Sequence, residues 1–462
     1  MTQEIGKNGV AVGAAKEPGV VKRLSNESKG HRTYEVHQRE RVGESTEKIK
    51  PVQLVGDDYR RNPYPLLATL RTHYPFYRDW LANSYWVTRY NDVTSIFVDD
   101  ANFESRSKCS LYGLVEIDRE IDREIDREFG RDFGEDLSLL EAEADITDAA
   151  VPRIAQDLIA GIAERGEADL AKDFAGEFSL RLRAEVWGIN AATRDDFSSL
   201  YWRMQRGTSW HPTLQQDGLA AIYEMETFIA PLIEERRANP GEDVLSILCL
   251  KDDLTARDVV ATLLESDHET LHGAMANLWC RLLSDPNAHE STYESASSNA
   301  RLMKLAYLET LRHSPPVLSA HRFARHEVER FGKLIPQGAR LVCSAAAANR
   351  DPDVFLEPDK FVVDRKDLCQ REPRGQYRAD GLATGISFGL GKPTRHPAVP
   401  EDRPRSHYAL TRDTVVAASM ALAEGLPNLR LKTFGIEQET QPHLTALTVG
   451  EMHTCWHLPI EV

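Results

Sequence analysis

The sequence has no CxxC pair, and its six cysteines, Cys109, Cys249, Cys280, Cys343, Cys369 and Cys455, are scattered. That excludes a dense disulfide framework, and reduced thiols in a cytoplasm are the simplest expectation. No apolar run approaches the roughly 20 residues needed to cross a bilayer. The first residues lack the apolar core of a secretory signal. An excess of positive charge is also missing: 56 lysines and arginines face 72 aspartates and glutamates, for a formal charge of −16. An acidic surface argues against nucleic acid or an anionic membrane as partner. What the 462 residues do have is 41% hydrophobic and 28% charged side chains, the balance of a soluble globular protein.

Residues 1–50 are rich in Gly, Lys, Glu, Ser and Arg without apolar periodicity, and read as a disordered, solvated tail. From 51 to 462 no second composition break occurs, so one large domain is expected, mainly α with a minor β-sheet. Residues 85–88 and 341–344 read as short strands. One low-complexity patch, EIDREIDREIDREF at 116–129, sets Ile117, Ile121, Ile125 and Phe129 along one helical stripe. Its opposite charges three apart support a helix. Such a helix is either solvated or a docking surface for a protein partner.

Several short stretches recur in a fixed order. They are Asn62-Pro63-Tyr64-Pro65, then Trp86-Val87-Thr88-Arg89-Tyr90, the acidic loop 235–246, and His268-Glu269-Thr270 in a long apolar helix. Glu309-Thr310-Leu311-Arg312 follows, then Asn349-Arg350-Asp351-Pro352 and Phe388-Gly389-Leu390-Gly391. Together they resemble the bacterial cytochrome P450 family over about 52–462. The resemblance implies that family's mainly α fold. It makes Glu309 and Arg312 a structural ExxR pair, three apart on one helix and suited to a charge-assisted bond. In the family a second arginine completes the pair; Lys360 stands in its expected place, and a lysine offers a point charge rather than a planar fork.

The family's iron ligand is a cysteine thiolate, whose electron donation favours O–O cleavage. Counting on from Phe388 reaches Arg395, and counting back from Leu410-Thr411-Arg412 reaches Arg405; no cysteine occurs between Cys369 and Cys455. A guanidinium has no free lone pair for iron. His396 and His407 lie close by as alternative ligands, in a proline-rich loop that is a poor frame for an imidazole. The usual HxxxR or WxxxR anchor for a heme propionate is missing. Glu135, Asp136, Glu141, Glu143 and Asp145 crowd that region, and Asp267 replaces a glycine against the porphyrin face. Arg322 alone matches a propionate-binding arginine.

These losses lead to the expectation of a P450 fold without heme and without monooxygenase chemistry. The leading role is an auxiliary, partner-binding protein of natural-product metabolism, docking a pathway transferase, a P450 or an assembly-line enzyme through the 116–129 helix. Whether the protein is itself an enzyme stays open. The alternative is a heme-independent enzyme acting on a small apolar substrate, with Asp267, His268, Glu269 and Thr270 as acid–base candidates in the former heme cavity. A heme monooxygenase with unusual ligation is the third reading. His268-Glu269-Thr270-Leu271-His272 also spells HExxH, the zinc-protease signature, but no third ligand is evident at familiar spacing and no metal is expected.

Overall fold

The structure is a computed structural model that describes residues 49–106, 108, 137–209, 211–266, 268–284, 296–369, 382–386, 405–432, 442–448 and 450–462. Residues 1–48 of the expected tail, the 116–129 helix, Asp267, Arg395 and His396 lie outside them.

Helices carry most of the chain: α1 (Tyr64–His73), α2 (Tyr90–Phe97), α3 (Leu137–Arg165), α4 (Glu177–Val186), α5 (Arg194–Arg206), α6 (Pro212–Ala238), α7 (Ala256–Glu265), α8 (Ala274–Ser284), α9 (Ala300–His313) and α10 (His407–Gly425). Helix starts are set by local chemistry. Thr255 and Asp258 form a reciprocal capping box at α7, Asn299 accepts from the Arg301 amide at α9, and Ser406 accepts from the Ala409 amide at α10. The inner helix faces pack on one another, with α3 against α4 and α10, and α9 against α8 and α10.

Strands are short. β1 (Phe76–Asp79), β2 (Ser84–Val87), β3 (Phe103–Glu104), β5 (Ala320–Ala324) and β8 (Arg340–Cys343) form a sheet in the order β1-β2-β8-β5-β3. The two segments expected as strands are therefore neighbours: β2 and β8 run parallel, Tyr85 opposite Leu341 and Trp86 opposite Val342. A three-stranded sheet joins β4 (Glu167–Asp169), β12 (Pro459–Glu461) and β9 (Arg430–Leu431). Two ribbons, β6 (Val328–Arg330) with β7 (Lys333–Ile335) and β10 (Leu444–Thr445) with β11 (Thr454–Cys455), complete the described strands. Ile49 already belongs to the core: it is buried beside Leu54, Tyr59 and Leu67, and its carbonyl accepts from the Tyr77 hydroxyl.

The ExxR pair forms as expected, and its completion does not. Glu309 and Arg312 are fully buried and joined by two hydrogen bonds of 2.7 Å. The second arginine is Arg365, whose Nε donates to Glu309 Oε1 at 3.0 Å. Lys360 turns outward to pair with Glu357 and contributes only its carbonyl, which accepts from Arg312. The loop's path places residue 365, not 360, over the carboxylate. A planar fork serves there because it satisfies Glu309 and three loop carbonyls at once.

Candidate functional site

The central helix is broken where the acid–alcohol pair stands. α7 ends at Glu265, Ser266 is extended (φ −64°, ψ 147°), and helix resumes at His268 through a five-residue π-helical turn, Glu269–Gly273, that leads into α8. A π turn inserts one extra residue and shifts side chains around the axis, a geometry common at functional sites. It turns Glu269 and Thr270 to one side and the histidines to the other.

On the first side lies a cavity of about 320 Å³. Apolar walls come from Leu54, Trp86, Val317, Leu318, Val342 and Met452; Glu269, Thr270, Arg106, Lys108, Arg322 and Glu451 supply the polar groups. Lys108 reaches the helix break. Its Nζ donates to Glu269 Oε2 at 2.9 Å and to the Ser266 carbonyl at 3.3 Å, and its amide donates to Glu265. A cation at the last carbonyls of α7 is also favoured by the helix dipole. Glu451 is similarly committed, to Arg206 at 2.6 Å and to both the amide and hydroxyl of Thr448. Both cavity carboxylates are thus neutralised in place, and an uncharged apolar guest meets no unpaired anion.

Arg322 is different. Its guanidinium lies 4.7 Å from the centre of the Phe97 ring and donates to the His321 carbonyl, and among the described residues no carboxylate forms an ion pair with it. Burial lowers its pKa. A desolvated cation at a cavity wall is a binding site for an anionic group. None of Glu141, Glu143 and Asp145, expected to repel such a group, lines the cavity. Glu143 faces Arg183 at 2.8 Å and His407 at 3.6 Å instead.

Behind the π turn the second side is aromatic. His268 and His272 lie edge to face at 5.4 Å between centroids, with Tyr201, Trp202 and Trp456 around them. His268 Nε2 and His272 Nδ1 are buried without a hydrogen-bond partner among the described residues. Burial holds both rings neutral. It takes His272 to about 4 and, helped by the neighbouring His272, Arg183 and Lys108, pushes His268 well below the usual range. Of the HExxH residues, Glu269 faces the cavity and Lys108, while the two histidines face the aromatic side. Among the described residues no cluster of three or more His, Cys, Asp or Glu could hold an ion.

The Cys-loop positions fall into two groups. Arg395 and His396 lie outside the described residues. Arg405, at the other register for the iron ligand, is held by Asp148 of α3 and Asp413 of α10. Sequence reasoning missed Lys108, Arg206 and the Trp202–Trp456 wall. Nothing in their local context marks them, since each acts on a partner over 150 residues away.

The sequence profile described as Cytochrome P450 matches residues 286–368. Among curated relatives, pulcherriminic acid synthase of Bacillus subtilis is 27% identical over 75% of this chain and 86% of its own. Vitamin D(3) 25-hydroxylase of Pseudonocardia autotrophica is 27% identical over 81% and 95%. Among solved structures, P450BioI in complex with a fatty-acid-ligated acyl carrier protein superposes with a TM-score of 0.64 at 19% identity, covering 88% of this chain and 99% of that one. The chain belongs to the cytochrome P450 family. Its mainly α architecture is the P450 fold.

Membership corrects two expectations. The heme-free, auxiliary role is overturned, because the relatives that match most of the chain are named as a synthase and a hydroxylase. The expectation of no cofactor is overturned with it: this family points to heme. The heme-free expectation rests on one ligand position and a few anchors, whereas the likeness to these relatives runs along three quarters of the chain or more. The fit of heme to the described residues is uneven. Arg322 suits a heme carboxylate; Arg405, ion-paired at the ligand register, does not suit iron, and no cysteine lies within the 387–407 segment. No helix among the described residues is long and apolar enough to cross a membrane.

Proposed function

We propose that this protein is a heme-dependent oxidative enzyme of the cytochrome P450 type that acts on a small, largely apolar molecule of natural-product metabolism. The observation that carries this reading is the apolar cavity opened at the broken central helix, with Glu269 and Thr270 on its wall, in a chain similar to a synthase and a hydroxylase. When bound, heme supplies oxidation by dioxygen.

The chain's own residues do the rest. Arg322 would hold a heme carboxylate. Lys108 fixes the Glu269 side chain at the cavity wall, where it and the Thr270 hydroxyl pass a proton. Asp267 adjoins the break in sequence and is a third proton-handling candidate, while His268 buttresses the turn from behind. On this reading an imidazole of the 387–407 segment would hold the iron. His396 is the favoured one, because His407 faces Glu143. A carrier-protein-bound substrate, as P450BioI presents, is the partner arrangement this reading favours.

The test is expression with heme precursor supplied, followed by heme quantitation and absorption spectra of the oxidised and reduced carbonyl forms. One heme per chain with the spectrum of a nitrogen-ligated iron is expected, and His396→Ala should lose it. Arg322→Leu should weaken heme retention. A protein that takes up no heme under these conditions refutes the reading.

A further inference from the structure

Two of the buried thiols lie on adjoining elements, Cys280 on α8 and Cys455 on β11. β11 lies along α8: the Cys455 amide donates to Asn277 Oδ1 at 3.0 Å, the Asn277 side chain donates to the His453 carbonyl at 3.0 Å, and the Thr454 hydroxyl donates to the Gly273 carbonyl at 3.2 Å. Cys280 follows Asn277 by three residues, on the same helix face. Its Sγ lies 3.6 Å from Ser284 Oγ, and Cys455 Sγ lies 3.3 Å from the His457 carbonyl oxygen. Both cysteines are free and almost fully buried. Two buried thiols on elements that are hydrogen-bonded to each other are distinct from the isolated buried cysteine that merely fills space.

We propose that Cys280 and Cys455 form an oxidisable dithiol that a hydroperoxide closes to a disulfide, tying the C-terminal strand to the central helix. This proposal is independent of the cofactor and of the reaction in the cavity. Cys280 is the first thiol to react. The neighbouring Cys455 side chain lowers the Cys280 pKa, while the Cys455 thiol is correspondingly raised. The Cys280 thiolate attacks one oxygen of hydrogen peroxide, the O–O bond breaks, and hydroxide leaves to be protonated to water. The Cys455 sulfur then attacks the resulting sulfenic sulfur. The S–O bond breaks and a second water leaves with the Cys455 proton. The two thiols lose two electrons, and the peroxide gains them.

Access comes by local opening. The ribbon that covers Cys455 is two residues long, Leu444 opposite Cys455 and Thr445 opposite Thr454, and so short a pairing opens at low cost. The consequence reaches the cavity, because Gly450, Glu451 and Met452 line it and lead directly into β11. A closed disulfide fixes that wall against the central helix.

The test uses the full-length protein, reduced, desalted, treated with hydrogen peroxide, then alkylated in denaturant and digested with trypsin without reductant. Cys280 falls in peptide 258–281 and Cys455 in peptide 433–462, each with no other cysteine, so one linked species identifies the bond. The linked species is expected from wild type and is absent from Cys280→Ala and Cys455→Ser, with folding checked by circular dichroism. The oxidised wild type should melt about 5 °C higher than the reduced form, a shift that Cys455→Ser abolishes. Recovery of both wild-type peptides unlinked, either alkylated or with Cys280 as a sulfinic acid, overturns the proposal.

Discussion

Replacing Arg365 by methionine separates the buried arginine from the lysine that sequence position favours. Arg365 is 4% exposed at its side chain and makes bonds to Glu309 (3.0 Å), Asp367 (3.2 Å) and the carbonyls of Leu356 (2.6 Å), Glu357 (2.8 Å) and Lys360 (3.1 Å). Removing one member of a buried ionic cluster costs about 3–5 kcal/mol, because the remaining charge stays desolvated. Glu309 keeps both bonds from Arg312 and one from the Val362 amide at 2.8 Å. The lower end applies, about 3 kcal/mol. Lys360→Met removes one exposed pair with Glu357 and should cost under about 0.5 kcal/mol. Arg365→Lys should recover less than half of the loss, since an ammonium cannot reach the carboxylate and three carbonyls together. The assay is equilibrium urea unfolding at neutral pH, comparing midpoints at unchanged slope. Equal losses for the two methionine variants, or an Arg365→Met loss below about 0.5 kcal/mol, would refute the assignment of Arg365 as the third member.

Three further outcomes follow from the site. Burial holds His272 at about 4 against an ordinary value near 6.5, so the unfolded chain binds the extra proton between those pH values and stability falls as pH drops through that window. His272→Phe should therefore flatten the decline in unfolding free energy between pH 6.5 and 4.5 by about 2 kcal/mol, and an unchanged slope counts against a neutral buried ring. Gly273 packs so closely that a Cβ there would sit 2.6 Å from Pro316 Cβ and 3.3 Å from Met452 Sδ. Gly273→Ala should destabilise by about 2 kcal/mol in the same urea assay, and a neutral result would mean the cavity wall yields freely. Lys108→Met removes a charge-assisted pair whose two side chains are about one-fifth exposed. Amide exchange across 263–272 should rise about tenfold, and unchanged protection would show that the latch does not hold the helix break.

The sequence carried the fold through locally enforced patterns. Glu309 and Arg312 meet because residues three apart on a helix are neighbours wherever the helix lies. Residues 85–88 and 341–344 read as strands within one residue of their observed ends, because a short apolar run with β-branched and aromatic residues suits a buried strand. Glu269 and Thr270 were legible as a pair through the family resemblance, and the cavity lies on their side of the helix. The loss of the cysteine is equally a fact of the sequence. The conclusion drawn from it was not, since one missing ligand says nothing of how far the remaining chain resembles working enzymes.

What the tertiary structure decided is every partner that lies far along the chain. His268 and His272 read as a metal pair only while the helix between them is taken as regular. The break at Ser266 and the π turn after it send both rings into a wall built by Trp202 and Trp456. Lys108 reaches Glu269 across 161 residues, Arg206 reaches Glu451 across 245, and Cys455 reaches Asn277 across 178. No periodicity contains these contacts. A side chain's own neighbours fix its secondary structure and its face, but which charge meets it there depends on how separate elements dock, and docking is set by the packing of the whole core.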